Sequence, residues 1–310
     1  MRIGVMGSGG VGGYFGGLLA RAGLDVTFIA RGPHLEAMRT RGLQVKSVAG
    51  DFQVGVQATA DPAAVGPADL ILFAVKGYDT ERAALQMRPM VRPDTAVLCL
   101  QNGVDNEDKL DAIFGPGQVL GGVVHILSTV SAPGVISQTS GPRTLKFGEM
   151  DGRITPRTER IYELFKGAKI LVTLSSQIQV DLWEKFLFIC AHGGVTALTR
   201  LTLGEILACP ETAALYRGVM DEVAAVAHAR RIPLSDDIVE RTMTLARGFH
   251  PSTRSSLAHD LVQGNRLEVE TLVGAVVRYG RDLGVPTPLA FAIYACLKPY
   301  HDMAVKARGG

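Results

Sequence analysis

Gly7, Gly9 and Gly12 stand at G-x-G-x-x-G spacing inside the stretch GSGGVGGYFGG, residues 7–17. The chemistry available at that spacing belongs to the backbone. The first glycine permits a tight turn, the second lets the main chain approach a pyrophosphate, and the third lets a helix pack closely on a strand. A loop of Gly7, Ser8, Gly9, Gly10, Val11 and Gly12 that opens a helix also turns free N–H groups toward phosphate oxygens. A linker can be equally rich in glycine, so the flanking elements decide between the two readings. A second candidate, Arg31, follows the apolar run DVTFIA at residues 25–30. Dinucleotide sites for NAD place an acid there to accept from the ribose 2′-OH. A guanidinium at that point instead pairs with a 2′-phosphate, which points to NADP (NADPH). The competing reading is a solvated arginine at a strand end.

The elements that would position these groups are legible around them. RIGVM at 2–6 is short, apolar and bounded by glycine, as a buried strand is. YFGGLLARAG carries Leu18, Leu19 and Ala22 at helical spacing and stops at Gly23, and DVTFIA returns as a second strand. Strand, glycine turn, helix and strand within about 30 residues form the βαβ context that gives the motif its weight. The alternation continues with ADLILFAV, ending at Lys76, and TAVLCLQNGV, which runs into a polar loop holding Asn102. Open α/β sheets bind ligands beyond the carboxyl ends of their strands, so Lys76 and Asn102 are candidates to line that crevice. QVLGGVVHIL, the turn SAPG, and strand-like pieces VISQTS and TLKFGEM follow.

From about Ser175 helical periodicity takes over. QVDLWEKFLFICAHGGVTALTR reads as a helix that Gly193 and Gly194 weaken by roughly 1 kcal/mol each. PETAALYRGVMDEVAAVAHARR, SDDIVERTMTLARGF with Ser235 as N-cap, SSLAHDLVQGN with a left-handed stop at Gly264, EVETLVGAVVRYGRDLG and PLAFAIYACLKPYHDMA follow, and KARGG reads as a frayed tail. The expected architecture is α/β: an N-terminal Rossmann-type dinucleotide-binding domain, residues 1–174, then an all-helical C-terminal substrate and catalytic domain, residues 175–310. The 310 residues carry a net charge of +2, which gives no electrostatic case for nucleic acid. Cys99, Cys190, Cys209 and Cys296 lack metal-ligand spacing and read as buried thiols of a reducing compartment, so no metal is expected. Neither a signal peptide nor an apolar run of the roughly 18–20 residues that span a bilayer is present, so the expectation is a cytoplasmic protein with no membrane partner.

The ordered set of glycine motif, arginine after strand two, FAVK, LQNG, WEKF, SSLAHD, EVETLVG and GVPTP resembles the ketopantoate reductase family (2-dehydropantoate 2-reductases) over nearly the whole chain. The resemblance implies NADPH-dependent reduction of a 2-oxo acid to a 2-hydroxy acid, with ketopantoate to pantoate, a step of pantothenate biosynthesis, as the leading candidate. It implies Lys185 of W-x-K as general acid, Lys76 and Asn102 lining the cofactor and substrate site, and Ser256 and Glu268 holding the substrate, with Glu268 opening its helix. The chemistry is consistent with those types. Hydride addition to a ketone leaves an alkoxide that needs stabilising charge and a proton, and an ammonium supplies both. On residue pattern alone, Lys185 beside Leu182, Phe186 and Leu187 reads rather as a snorkelling surface lysine, and it is the resemblance that makes it the general acid.

Several positions depart from the family pattern. Asparagines four and eight residues after the lysine, one and two turns along the same helical face, are here Ile189 and Gly193, which leaves a more apolar and roomier surface. In the family's T-E-I-D-x-x-N-G the threonine, aspartate and asparagine are Leu267, Glu270 and Val273. These changes favour a more apolar 2-oxo acid, because a site built for a hydroxyl loses discrimination when its hydrogen-bonding groups go. His192 shares the face of Lys185 and is a candidate replacement contact. Two other classes stay open: an opine or hydroxy-acid dehydrogenase with His192 or His125 as acid–base, and a non-catalytic NADP sensor, against which the joint presence of Lys185, Asn102 and Glu268 argues. Assembly as a homodimer is left open.

Overall fold

The computed structural model describes residues 1–307. The chain divides into two compact units, residues 1–101 with 106–179, and residues 102–105 with 180–310. The expected boundary after residue 174 thus lies five residues early, and the short Asn102–Asp105 segment groups with the helical unit.

The first unit runs β1 (Arg2–Met6), α1 (Gly10–Arg21), β2 (Asp25–Ile29), α2 (Gly32–Arg41), β3 (Leu43–Ser47), β4 (Phe52–Val54), β5 (Gln57–Thr59), β6 (Leu70–Phe73), α3 (Thr80–Gln86), β7 (Ala96–Cys99), α4 (Asn106–Phe114), β8 (Val119–Ala132), β9 (Val135–Glu149), α5 (Pro156–Gly167) and β10 (Leu171–Leu174). They form one sheet in the order β4-β3-β9-β8-β7-β6-β1-β2-β5, with β10 on β9. The central strands are parallel, and Met6, Phe73 and Cys99 lie in register at their carboxyl ends. Such strands are buried on both faces. Leu70 and Leu72 of β6 join the core shared with α1, whereas Ile71 and Phe73 join the core beneath α3 and α4.

The β8–β9 hairpin is longer than the separate pieces VISQTS and TLKFGEM suggested. β9 is one strand of 15 residues. It breaks step with β8 between the pairs Leu127–Ser140 and His125–Thr144, leaving Gly141, Pro142 and Arg143 as a bulge. Gly141 has φ +88° and Arg143 +58° there, which is why the residues GPR look like a strand end in the sequence. The far half of β9 pairs with β3, so the sheet curls round α1, which meets β1, β2, β3, β4, β8 and β9.

That curl accounts for the seven glycines between residues 7 and 17. A Cβ on Gly10 would collide with the Ser128 carbonyl of β8, and one on Gly13 would sit 2.6 Å from Ile136 of β9. Most of the glycines let the helix be enclosed, and only the loop ahead of it is left open for a ligand.

The second unit contains α6 (Ile178–Thr199), α7 (Leu203–Ala208), α8 (Pro210–Ala229), α9 (Ile238–Arg247), α10 (Ser256–Val262), α11 (Val273–Leu283) and α12 (Pro288–Ala307). Helix α7 is not visible as a separate element in the sequence pattern; its Thr202–Glu205 capping box marks it. Ser235 is not an N-cap. Its carbonyl accepts from Ile238 N–H in a turn, and α9 begins three residues later. Ser255 caps α10 through Ala258 N–H, and Gly264 takes φ +66° as expected. Lys306 and Ala307 are helical rather than frayed, and 308–310 lie outside the described residues. Cys99 and Cys190 are buried, but Cys209 is half-buried and Cys296 is exposed on α12, so the four cysteines are not all core thiols. Among the described residues no helix is long and apolar enough to cross a membrane, and no three His, Cys, Asp or Glu side chains are grouped to hold a metal.

Candidate functional site

In the first unit, the loops leaving β1 and β6 start from aligned strand ends, so Gly9 and Lys76 each stand three residues past the sheet; Asn102, three residues past the end of β7, falls in the segment that groups with the second unit. Gly7 has φ +104°, and a side chain there would press within 2.6 Å of Val75 N. Gly9 is the N-cap of α1 with no side-chain acceptor for the helix's first N–H groups, and nothing lies within 4 Å of where its Cβ would be. Uncapped amides at the positive end of a helix dipole, next to a backbone with open space over it, suit a phosphate. The residues present therefore fit a dinucleotide. Ser8 contributes differently from its neighbours: its hydroxyl donates to the Ile29 carbonyl at 2.8 Å, tying the loop to the end of β2, so only its main chain remains for a ligand.

Arg31 follows β2 as expected and is the N-cap of α2. It is exposed, and its guanidinium donates to Gln86 Oε1 at 2.8 Å. That neutral acceptor orients the cation and leaves its charge uncompensated there. Lys76 is exposed at the start of a short turn, Gly77–Asp79. The turn is fixed by a buried network absent from the sequence reading: Gln101 Nε2 donates to the Val75 carbonyl at 3.0 Å and to Thr80 Oγ1 at 2.8 Å, and Thr80 Oγ1 donates to Asn106 Oδ1.

In the second unit, Lys185 is half-buried on α6, beside fully buried Phe186 and Leu187. Ile189 is half-buried one turn on. At Gly193 a Cβ would stand in ordinary contact, 3.5 Å from Leu272 and 3.7 Å from Leu257, so this part of the face is bounded by leucines. Those leucines bring to α6 the two segments that carry Ser256 and Glu268. Ser256 is exposed as the first residue of α10. Glu268 is 6% exposed and does not open a helix; it lies in the turn before α11, its carbonyl accepting from Leu272 N–H at 3.1 Å. Leu267 and Val273 are fully buried core residues, Val273 packing against Gly194, so two of the departures from the family pattern are packing changes. Glu270 bonds Arg278 at 3.1 Å and Tyr294 Oη at 2.9 Å, and Arg278 reaches Asp105 at 3.3 Å, holding the Asn102–Asp105 segment on α11.

His192 is 7% exposed, stacked on Phe188 with ring centroids 5.2 Å apart, and hydrogen-bonded to the Arg254 main chain. Burial pushes its pKa down to about 4. A buried imidazole that stays neutral at pH 7 is a poor proton donor. It supports the segment leading to Ser256, together with the Thr196–Ser255 hydroxyl pair at 2.6 Å. His125 is exposed on β8, opposite Thr144.

Comparison with known proteins bears on both units. The family model for ketopantoate reductase PanE/ApbA matches residues 3–152, and that for its C-terminal domain matches residues 177–301. The chain belongs to the ketopantoate reductase family. A crystal structure of a PanE/ApbA family ketopantoate reductase from Ralstonia eutropha JMP134 superposes with a TM-score of 0.91 at 36% identity, covering 98% of this chain and 100% of that one. The 2-dehydropantoate 2-reductase of Archaeoglobus fulgidus is 33% identical, with 92% of each chain covered. The oxidoreductase YkpB of Bacillus subtilis is 32% identical over 97% of this chain and 99% of its own. A D-mandelate dehydrogenase solved with NADH and anilino(oxo)acetate shares the fold, with a TM-score of 0.89 at 19% identity over 98% of this chain and 99% of that one. As a ketopantoate reductase family member the chain is an oxidoreductase of the kind that interconverts C=O and CH–OH.

Proposed function

We propose that this protein reduces a 2-oxo acid to the 2-hydroxy acid with NADPH, and that its substrate has an apolar tail. The observation that carries the reading is Gly193, against which the neighbours of Ser256 and Glu268 pack on the helix that bears Lys185. NADPH, when bound, supplies the hydride. The open loop at Gly9 and the start of α1 would hold its pyrophosphate, and Arg31 its 2′-phosphate. The Lys185 ammonium stabilises the alkoxide developing on the ketone oxygen and donates its proton there. Ser256 and Glu268 hold the polar end of the substrate. Ile189, on the face of Lys185, offers no hydrogen bond, so a hydroxylated tail would leave a group unpaired at about 1–3 kcal/mol.

The test is NADPH oxidation with ketopantoate and with 2-oxo acids bearing branched or aromatic tails. The apolar acids should show the higher kcat/KM, and Ile189→Asn should shift the ratio toward ketopantoate. Ile189→Asn is the cleaner comparison, because a side chain at Gly193 would begin in contact with Leu257 and Leu272. Ketopantoate as the best substrate, with Ile189→Asn impaired on it, would show that another group serves the hydroxyl.

A further inference from the structure

His34, in the first turn of α2, lies outside the glycine motif and outside every residue assigned a role above. Its two ring nitrogens meet two backbone groups from distant parts of the first unit. Gly134 N–H, at the tip of the β8–β9 hairpin, donates to Nδ1 at 3.0 Å. Nε2 stands 3.0 Å from the Ser8 carbonyl. The partners fix the tautomer. Nδ1 accepts, so the ring hydrogen is on Nε2 and is donated to Ser8.

The Ser8 carbonyl belongs to the peptide plane that carries the Gly9 N–H. That plane is trans, as are all the peptide bonds described. In a trans plane C=O and N–H point in opposite directions, so a bond that pins the Ser8 oxygen also aims the Gly9 N–H. The Ser8 hydroxyl bond to Ile29 anchors the side-chain end of the same residue. The hairpin end of the clamp is also fixed, since the Gly134 carbonyl accepts from Gln44 N–H of β3 at 2.9 Å.

We propose that His34 is a positioning residue for the dinucleotide, a neutral Nε2–H imidazole that holds the Ser8–Gly9 peptide so that the Gly9 amide is presented to the pyrophosphate. The inference rests on the reading that the glycine loop carries the nicotinamide dinucleotide. Two substitutions separate its halves. His34→Gln keeps a donor near the Nε2 position for Ser8 and loses the acceptor. His34→Asn keeps an acceptor near Nδ1 for Gly134 and cannot reach Ser8.

Binding of NADPH and of NADH is measured by fluorescence titration for wild type and both variants, with KM for each substrate and thermal melting alongside. Loss of one preorganised amide contact should weaken NADPH binding by roughly 5- to 10-fold in His34→Asn. KM for NADPH should rise in parallel and KM for the 2-oxo acid should hold, while His34→Gln stays within about twofold of wild type. Equal NADPH affinity in His34→Asn and wild type would overturn the proposal, as would equal losses in the two variants or a failure of His34→Asn to fold. If wild type binds neither NADPH nor NADH, the reading of the loop itself falls, and the proposal with it.

Discussion

Lys185, Arg31 and His192 are three nitrogen-bearing side chains, and their surroundings give them different work. Lys185 is half-buried at the edge of apolar packing on α6, where an ammonium can meet a developing alkoxide. Lys185→Ala should lower turnover by roughly 100-fold or more, as loss of a general acid does, with NADPH affinity little changed; a titration beside the turnover assay separates the two. Arg31 is exposed and oriented by Gln86. Arg31→Asp should weaken NADPH relative to NADH by roughly 10- to 100-fold, from one lost charge-assisted contact and new repulsion, read from the ratio of the two dissociation constants. His192 is a base held neutral. Its pKa of about 4 in the folded chain lies below the ordinary 6.5, so between those values the unfolded chain binds a proton that the folded chain does not. Stability is therefore full above pH 6.5 and falls as pH drops toward 4, by up to about 1.4 kcal/mol per pH unit. Urea unfolding at pH 7, 6, 5 and 4.5 should show this slope in wild type, and His192→Gln should flatten it.

At the scale of the element, the glycine loop and α1 divide one residue type between two duties, and substitution separates them. Gly9→Ala adds a methyl group in open space at φ −77°, a conformation open to any residue. Its melting temperature should match wild type while NADPH binding drops, since the methyl occupies the space a phosphate needs. Gly10→Ala meets the Ser128 carbonyl of β8 and should cost about 3 kcal/mol of stability, seen as a lower unfolding midpoint. The reverse pattern would move the phosphate site away from Gly9. The sequence shows the strand–glycine–helix unit because local periodicity and motif spacing encode it; β1, β2 and α6 lie within a residue of their expected bounds, whereas α1 starts at Gly10, four residues before the expected YFGGLLARAG. It does not show why Gly10 and Gly13 are needed, because that depends on a hairpin more than a hundred residues away curling over α1. Glu268 was placed by resemblance on a helix and lies in a turn, which closes onto the first turn of α11 with a wide bond from Gly274 N–H to the Val269 carbonyl. His34 and Thr196 belong to none of the motifs, and Gln101, though part of LQNG, shows nothing there of the network it makes. Their roles come from pairings across 26, 21 and 59 residues that only the folded chain makes.

Over the whole molecule, the two units differ in construction and in the groups they present. The first presents uncapped amides and an unneutralised arginine at the carboxyl ends of parallel strands, features that suit an anionic dinucleotide. The second presents a lysine on a mostly buried helix, with a serine and a buried glutamate on segments packed against that helix two turns along. Family membership spans both units, and half-buried Ile189 stands one turn from the lysine on α6. Reduction of an apolar-tailed 2-oxo acid with NADPH is tested by initial rates of NADPH oxidation by wild type and Lys185→Ala over a panel of 2-oxo acids that includes ketopantoate. Wild type should turn over, with the highest kcat/KM on the branched or aromatic members, and Lys185→Ala should drop by roughly 100-fold or more. No oxidation with any 2-oxo acid, or full activity in Lys185→Ala, would contradict it.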